Sequence, residues 1–113
     1  MPKIGTLDFT GISGHRYTFN VYPLNMSFDK KEKEAVYVVT HRIIRADASI
    51  DHALLFVGVT DNLKNEFNKH SKSDCFDRER ANCVCVYWEE HGDTRIKIKD
   101  DLKNLYHPPC NDF

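Results

Sequence analysis

Four cysteines, Cys75, Cys83, Cys85 and Cys110, are among the residues of this sequence best suited to chemistry. Thiolates bind zinc well, but these spacings lack the Cys-x-x-Cys of a typical zinc site. Cys83 and Cys85 alternate along a β-forming run as core residues do, on one face that Cys75 or His70 could join. We expect structural thiols, because no export signal opens the sequence and the cytoplasm is reducing.

Glu66 and His70 form a second candidate pair, four residues apart in a segment with helical spacing. Side chains one helical turn apart face the same way. His70 also completes an apolar stripe with Leu63 and Phe67, which is typical of a packed helix face. Both a functional histidine and a histidine that only packs or forms hydrogen bonds are compatible with this pattern.

Basic side chains near this helix could contact phosphates, and such contacts dominate the affinity of proteins for nucleic acids. These side chains are Lys69, Lys72, Arg78 and Arg80. They are interleaved with the acidic residues Asp74, Asp77 and Glu79. A solvated face of mixed charge is therefore the simpler interpretation.

Strands and helices must position these residues, and the spacing of apolar residues predicts where they lie. The predicted elements are strands over residues 6–10, 17–21, 35–40 and 54–59, a helix over 61–70, a strand over 83–88 and a helix over 95–106. The almost continuously apolar run 35–40 is typical of a strand buried on both faces. Thr60 or Asp61 can cap the first helix, and Pro108 ends the last one. The polar segment Arg42–Ala53 is expected to loop out, although Ile43 and Ile44 could extend the strand before it.

Composition limits the class of protein. The 113 residues are one domain's worth, with 41% hydrophobic and 29% charged residues. No apolar stretch approaches the ~18 residues of a membrane span, so we expect no membrane association and a cytoplasmic protein. The net charge of -1 excludes a generally basic nucleic-acid-binding protein, so that any such binding requires a local patch.

Three segments, taken together, resemble the GIY-YIG nuclease family. Ala35-Val36-Tyr37 stands where that family has Gly-Ile-Tyr, and Leu55-Phe56-Val57-Gly58-Val59 looks like its Tyr-Ile-Gly strand. The segment Asp100–Asn111 is similar to the family's closing helix and its Pro-x-Asn tail. The resemblance implies an α/β (α+β) fold over residues 35–113, with a small three-stranded antiparallel sheet flanked by helices. Residues 1–30 would add a β-hairpin to this single compact unit.

The resemblance also implies a metal-dependent mechanism for cutting a phosphodiester, with Mg²⁺ or Mn²⁺ as the cofactor. In this family a tyrosine helps to generate the nucleophile, an arginine stabilises the charge on phosphorus, and a glutamate holds the cation. Tyr37 and His70 match the family pattern. The other positions depart from it: Phe56 replaces the second tyrosine, Glu66 the arginine and Lys99 the metal-binding glutamate. A protonated lysine repels a divalent cation, and a carboxylate opposes the charge that must be stabilised.

The changes at Glu66 and Lys99 exchange the two charges of the family's site. The two residues either form an ion pair across the site or remain unpaired at the surface. Asp100 and Asp101 would supply a metal ligand only if the register were shifted, because a helix turns about 100° per residue.

The sequence therefore predicts a GIY-YIG-fold protein without ordinary nuclease activity and without a cofactor. It would act as a binding domain for DNA or another protein, and Asn111 joins the basic residues as a candidate nucleic-acid contact. The alternative is a divalent-metal-dependent DNA endonuclease with an unusual site. A third possibility is a protein-binding adaptor that uses the edge of the N-terminal hairpin.

Overall fold

The computed structural model describes residues 3–25, 28, 34–67 and 70–111. Within these ranges the chain forms the strands β1 (Gly5–Thr10), β2 (Arg16–Pro23), β3 (Ala35–Ile44), β4 (Ile50–Thr60) and β5 (Cys83–Trp88). The helices are α1 (Leu63–Glu66), α2 (Ser73–Arg78) and α3 (Gly92–Tyr106). The predicted mixed α/β class is confirmed. None of the helices described is long and apolar enough to cross a membrane.

All the strands belong to one antiparallel sheet with the order β1-β2-β5-β3-β4. The sequence predicted a sheet of three strands with an added hairpin, whereas here the hairpin strands continue the same sheet. The reason is that β5 pairs on both sides, with β3 and with β2, from Asn20↔Val86 to Pro23↔Cys83. Buried Phe19 and Val21 make β2 a core strand rather than an appendage.

The sheet carries a separate apolar core on each face, because successive side chains of a strand point to opposite sides. Val36 and Val38 of β3 lie on one face, which Ile98 and Leu102 of α3 cover. Tyr37 belongs to the other face, which the short helices α1 and α2 cover. Residues 35–40 are all buried, which confirms the predicted strand between two packed layers.

The segment between β3 and β4 differs from the prediction. Residues 42–53 were expected to loop out, with an extension of the first strand by Ile43 and Ile44 as the alternative. That extension is present, and residues 50–53 pair with it, since the ladder runs to Ile44↔Ile50. Polar partners hold this extension together, because Thr40 bonds to His52 at 2.8 Å and Arg45 forms an ion pair with Asp51. Paired backbone groups and cross-strand contacts thus outweigh the polar composition.

The first predicted helix is also shorter than expected. Asn62, rather than Thr60 or Asp61, caps α1 by accepting a hydrogen bond from the Asn65 amide at 3.3 Å. α1 ends at Glu66, and His70 lies outside any helix. Asparagine, histidine and serine between positions 65 and 71 are poor helix formers, which accounts for the early end.

Candidate functional site

The centre of the site is the hydroxyl group of Tyr37. This residue lies near the start of β3 and is only 1% exposed. Its Oη lies 2.6 Å from Oε2 of Glu66 and 2.7 Å from Nε2 of His70. We call these three residues the Tyr37 network. The side chains that the sequence placed on one helix therefore do meet, but through a tyrosine on a neighbouring strand.

Backbone contacts fix the direction of the hydrogen bonds in this network. The Lys72 amide donates to Nδ1 of His70 at 3.0 Å, so a neutral imidazole must carry its proton on Nε2. His70 then donates to Tyr37, and Tyr37 donates to the Glu66 carboxylate. Burial, together with nearby Lys72, lowers the pKa of His70, although Glu66 opposes this shift. Burial and the bond to Glu66 raise the pKa of Tyr37 far above its ordinary value.

Aromatic rings surround the network on its apolar side. Phe67 packs against Tyr37 with ring centroids 5.1 Å apart, and Phe76 packs against His70 at 4.8 Å. The resemblance expects a second tyrosine at position 56. The ring centroid of Phe56 lies 5.9 Å from that of Tyr37 and 5.2 Å from that of His70. Phe56 supplies packing but no hydroxyl group. Tyr37 is therefore the tyrosine that carries polar chemistry here.

A cleft of about 520 Å³ opens beside the network. It is lined by Thr60, Asp61, Asn62, Asn65, Glu66, His70 and Ser71. No lysine or arginine is among these residues, and the Glu66 side chain remains 30% exposed. The cleft therefore offers hydroxyl, amide and carboxylate groups to a ligand. Among the residues described, no three His, Cys, Asp or Glu side chains form a set that could hold a metal ion.

Lys99 does not join this arrangement. It lies on α3, which packs through Ile98 and Leu102 on the opposite face of the sheet from Tyr37. The ion pair with Glu66 that the sequence allowed is not formed, because Glu66 is engaged by Tyr37 and His70 instead. Lys99 does not line the cleft either.

The two aspartates that follow Lys99 are also separate from the cleft. Asp101 accepts hydrogen bonds from the Ser13 amide at 2.8 Å, the Ser13 hydroxyl at 2.7 Å and the Tyr17 hydroxyl at 2.7 Å. It therefore joins α3 to the β1–β2 turn. Asp100 is exposed on the same helix and does not line the cleft.

The residues predicted to contact nucleic acid differ in their exposure and in their contacts. Asn111 uses both ends of its side-chain amide on β4, since it accepts from the Val57 amide at 2.8 Å and donates to the Val57 carbonyl at 3.0 Å. Lys72 is partly buried beside His70, whereas Arg78 and Arg80 are exposed at the end of α2. Lys69 lies outside the described residues.

The cysteines are not all thiols, which corrects the expectation from the sequence. Cys75 of α2 and Cys110 of the tail form a disulfide, although 35 positions separate them. The spacing of these cysteines does not predict the pairing, because the pairing depends on where the tail (residues 108–111) packs against β4. Cys83 and Cys85 are free and buried on the face that α3 covers, and burial raises the pKa of Cys85 to about 12. The sheet separates them from Cys75 and His70, so the conceivable metal site is not formed.

Comparison with protein-family models, with characterised proteins and with solved structures finds no significant match to this chain. The geometry of the site must therefore carry any argument about function. That geometry is a buried tyrosine bonded to a carboxylate and an imidazole, at the edge of a cleft rich in oxygen atoms.

Proposed function

We propose that this chain is a GIY-YIG-like domain that has lost ordinary nuclease chemistry and acts as a binding domain for nucleic acid. The observation that carries the loss of activity is the 2.6 Å hydrogen bond between Tyr37 and Glu66. A carboxylate thus stands beside the tyrosine, at the position where the resemblance expects an arginine.

The architecture is compatible with this family proposal. The strands β5, β3 and β4 are adjacent and antiparallel. Two of the three segments on which the resemblance rests lie on β3 and β4, and the third lies on α3 and the residues that follow it. Tyr37 and His70 are the two residues that match the family pattern. Oη of Tyr37 lies 2.7 Å from Nε2 of His70. Asn111 of the Pro-x-Asn tail binds β4. These contacts support a common scaffold, although a scaffold does not by itself determine a function.

The charges argue against ordinary phosphodiester cleavage. Negative charge develops on the phosphate oxygens in the transition state, and losing one stabilising donor typically costs about 10²–10³ in rate. Here the cleft presents Glu66 and Asp61, and no lysine or arginine is among the described residues that line it. The hydroxyl proton of Tyr37 is bound to Glu66, and both ring nitrogens of His70 already have partners. Neither residue is free to activate a nucleophile.

The alternative of an endonuclease with an unusual metal site is less well supported. It requires a carboxylate of α3 beside Tyr37. Asp101 is occupied by Ser13 and Tyr17, and Asp100 does not line the cleft. Glu66 and Asp61, the carboxylates among the described residues that line the cleft, would then have to hold the cation without help from α3.

Nucleic acid remains the favoured partner because of the end of α2. Arg78 and Arg80 are exposed, and neither forms an ion pair with a described residue. Unpaired guanidinium groups bind phosphates well, since their planar array of donors matches phosphate oxygens. The binding surface of this proposal is therefore the end of α2.

The loss of cleavage is tested by nicking of supercoiled plasmid with Mg²⁺ or Mn²⁺. We expect no nicking by the natural protein above a blank. A Tyr37→Phe variant is the control, because nicking that persists in this variant comes from a contaminant. Metal-dependent nicking that this variant lacks would overturn the proposal.

Binding is tested by fluorescence anisotropy with labelled duplex and single-stranded DNA at 50 and 200 mM salt. We expect the Arg78→Ala/Arg80→Ala variant to bind more weakly, with a log–log salt slope smaller by about 2. Arg16→Ala/Lys97→Ala is the matched control, since both residues are exposed and lie outside α2. Absence of salt-dependent DNA binding by the natural protein would overturn nucleic acid as the partner.

A further inference from the structure

We propose that the Cys75–Cys110 disulfide is a redox-sensitive latch, which holds the tail (residues 108–111) on α2 and thereby maintains the Tyr37 network. This inference does not depend on the partner proposed above. It follows from the position of the bond. Among the described residues, the tail is the only segment that packs along the outer edge of β4, and the bond joins it to α2, the helix beside His70.

On one side of the latch lies α2, a helix of six residues without a side-chain N-cap. Phe76 follows Cys75 directly and is buried against His70, with ring centroids 4.8 Å apart, and against Phe56 at 5.7 Å. So short a helix has little stability of its own and depends on its tertiary contacts. A bond that tethers Cys75 therefore also restrains the ring that packs on His70.

On the other side lies the tail. The Cys110 amide donates to the Leu55 carbonyl at 2.8 Å, and Asn111 occupies both backbone polar groups of Val57. The tail thus satisfies the outer edge of β4 in the way a further strand would. The tail forms no helix or strand of its own, so few hydrogen bonds hold it in place unless it is also tied down covalently. The disulfide supplies that tie.

Exposure indicates how the bond would open. Cys75 is partly exposed, whereas Cys110 is only 3% exposed. A thiolate of a dithiol reductant attacks Sγ of Cys75, and the electron pair of the S–S bond leaves on Sγ of Cys110, which takes up a proton. The second thiol of the reductant then displaces the Cys75 thiol and closes the reductant's own disulfide. The protein disulfide gains two electrons and two protons, and the dithiol loses them.

The remaining cysteines do not interfere with this exchange. Cys83 and Cys85 are buried on the opposite face of the sheet, and burial raises the pKa of both thiols. Thiols that stay protonated and inaccessible are poor nucleophiles. Only the Cys75–Cys110 bond therefore responds to a reductant while the protein is folded.

The test begins with the full chain oxidised by glutathione disulfide. Alkylation in denaturant with mass spectrometry should count two thiols before reduction and four after dithiothreitol. The rate of reduction should stay constant at low urea concentrations, because local opening suffices. In the reduced protein, we expect the Val57 amide to exchange hydrogen at least tenfold faster, the Nε2–H tautomer signal of His70 to weaken, and the β1–β2 amides to be unchanged.

Variants separate the latch from a general loss of stability. Cys75→Ser should reproduce the changes at Val57 and His70 without any reductant, whereas Cys83→Ala, which removes a thiol but no disulfide, should not. A rate of reduction that rises with urea in parallel with global unfolding would identify a purely structural bond and overturn the proposal. Unchanged exchange at Val57 and an unchanged His70 signal after reduction would overturn it as well, as would four free thiols in the oxidised chain.

Discussion

A Cβ atom on Gly58 would lie 2.6 Å from the Tyr37 hydroxyl oxygen, which is closer than side-chain atoms can approach. The two residues face each other directly across β3 and β4. The same Cβ atom would lie 2.7 Å from the Phe56 ring. Gly58 therefore provides the space in which the tyrosine reaches Glu66 and His70.

Replacing this glycine with alanine should destabilise the protein and displace the tyrosine. We expect Gly58→Ala to lower the free energy of unfolding by about 1–3 kcal/mol, because overpacking a buried site forces neighbouring groups to move. Urea denaturation measures this change. Gly5→Ala is the control, since nothing lies within 4 Å of its Cβ position, and its effect should stay within about 0.5 kcal/mol. Equal effects of the two substitutions would contradict the close approach at Gly58.

The hydroxyl group of Tyr37 should itself stabilise the fold. Tyr37→Phe keeps the ring but leaves the Glu66 carboxylate and the His70 Nε2–H without this partner. We expect a loss of about 1–3 kcal/mol in the free energy of unfolding, the range for removing a hydrogen bond to a charged group. Denaturation at neutral pH measures the loss.

Tyr106→Phe is the matched control for this substitution. Tyr106 is 38% exposed, and its hydroxyl group has no hydrogen-bond partner among the described residues. Removing that hydroxyl should change the stability by less than about 0.5 kcal/mol. If Tyr37→Phe were equally mild, the network would not be a stabilising contact.

Stability should fall at alkaline pH because buried tyrosines resist ionisation. Burial, together with the hydrogen bond to Asp101 and its charge, raises the pKa of Tyr17 to about 12, and the pKa of Tyr37 is also raised. The tyrosines of the unfolded chain ionise near pH 10, which is a lower pH than the folded chain requires. Their contribution is thus present below pH 10 and is lost as the pH rises from 10 towards 12. Tm measured from pH 8 to 11.5 should drop above pH 10.

The Tyr17→Phe variant identifies the source of this alkaline decrease. Because phenylalanine does not ionise, the drop in Tm above pH 10 should be shallower than in the natural protein. An equally steep drop would show that other groups, such as lysines, dominate the alkaline unfolding.

Local patterns were sufficient to predict much of the sheet. The run 35–40 is apolar on both faces because β3 lies between two packed layers, and such a run needs no knowledge of its partners. The alternation in the first residues likewise predicted β1 and β2. The addition of β2 to β5 was not predicted, because strand pairing between residues 60 or more positions apart depends on the whole sheet.

The site was predicted only in part for the same reason. The four-residue spacing of Glu66 and His70 placed them together, and the resemblance added Tyr37. The disulfide and the position of Lys99 depend instead on which face α3 covers and on where the tail crosses β4. The contacts of Asp101 are equally remote in sequence, with Ser13 88 positions away.

Asp101 should matter for stability, whereas its neighbour Asp100 should not. The carboxylate of Asp101 accepts three hydrogen bonds from Ser13 and Tyr17, so we expect Asp101→Asn to cost about 1–3 kcal/mol in the free energy of unfolding. Asp100→Asn removes the same charge from an exposed position of the same helix and should change the stability by less than about 0.5 kcal/mol.

The pH dependence of these two variants distinguishes a carboxylate that docks the hairpin from a surface charge. Burial alone would raise the pKa of Asp101, but hydrogen bonds from Tyr17 and Ser13 outweigh it and lower the pKa. A lowered pKa contributes stability that is present above the ordinary carboxyl pKa and is lost as the pH falls through the lower folded value. Urea denaturation between pH 7 and pH 3 should therefore show a weaker loss of stability for Asp101→Asn than for Asp100→Asn. Parallel curves would mean that the β1–β2 turn is held on α3 by its backbone contact from Ile12 to the Asp101 carbonyl, and not by the carboxylate.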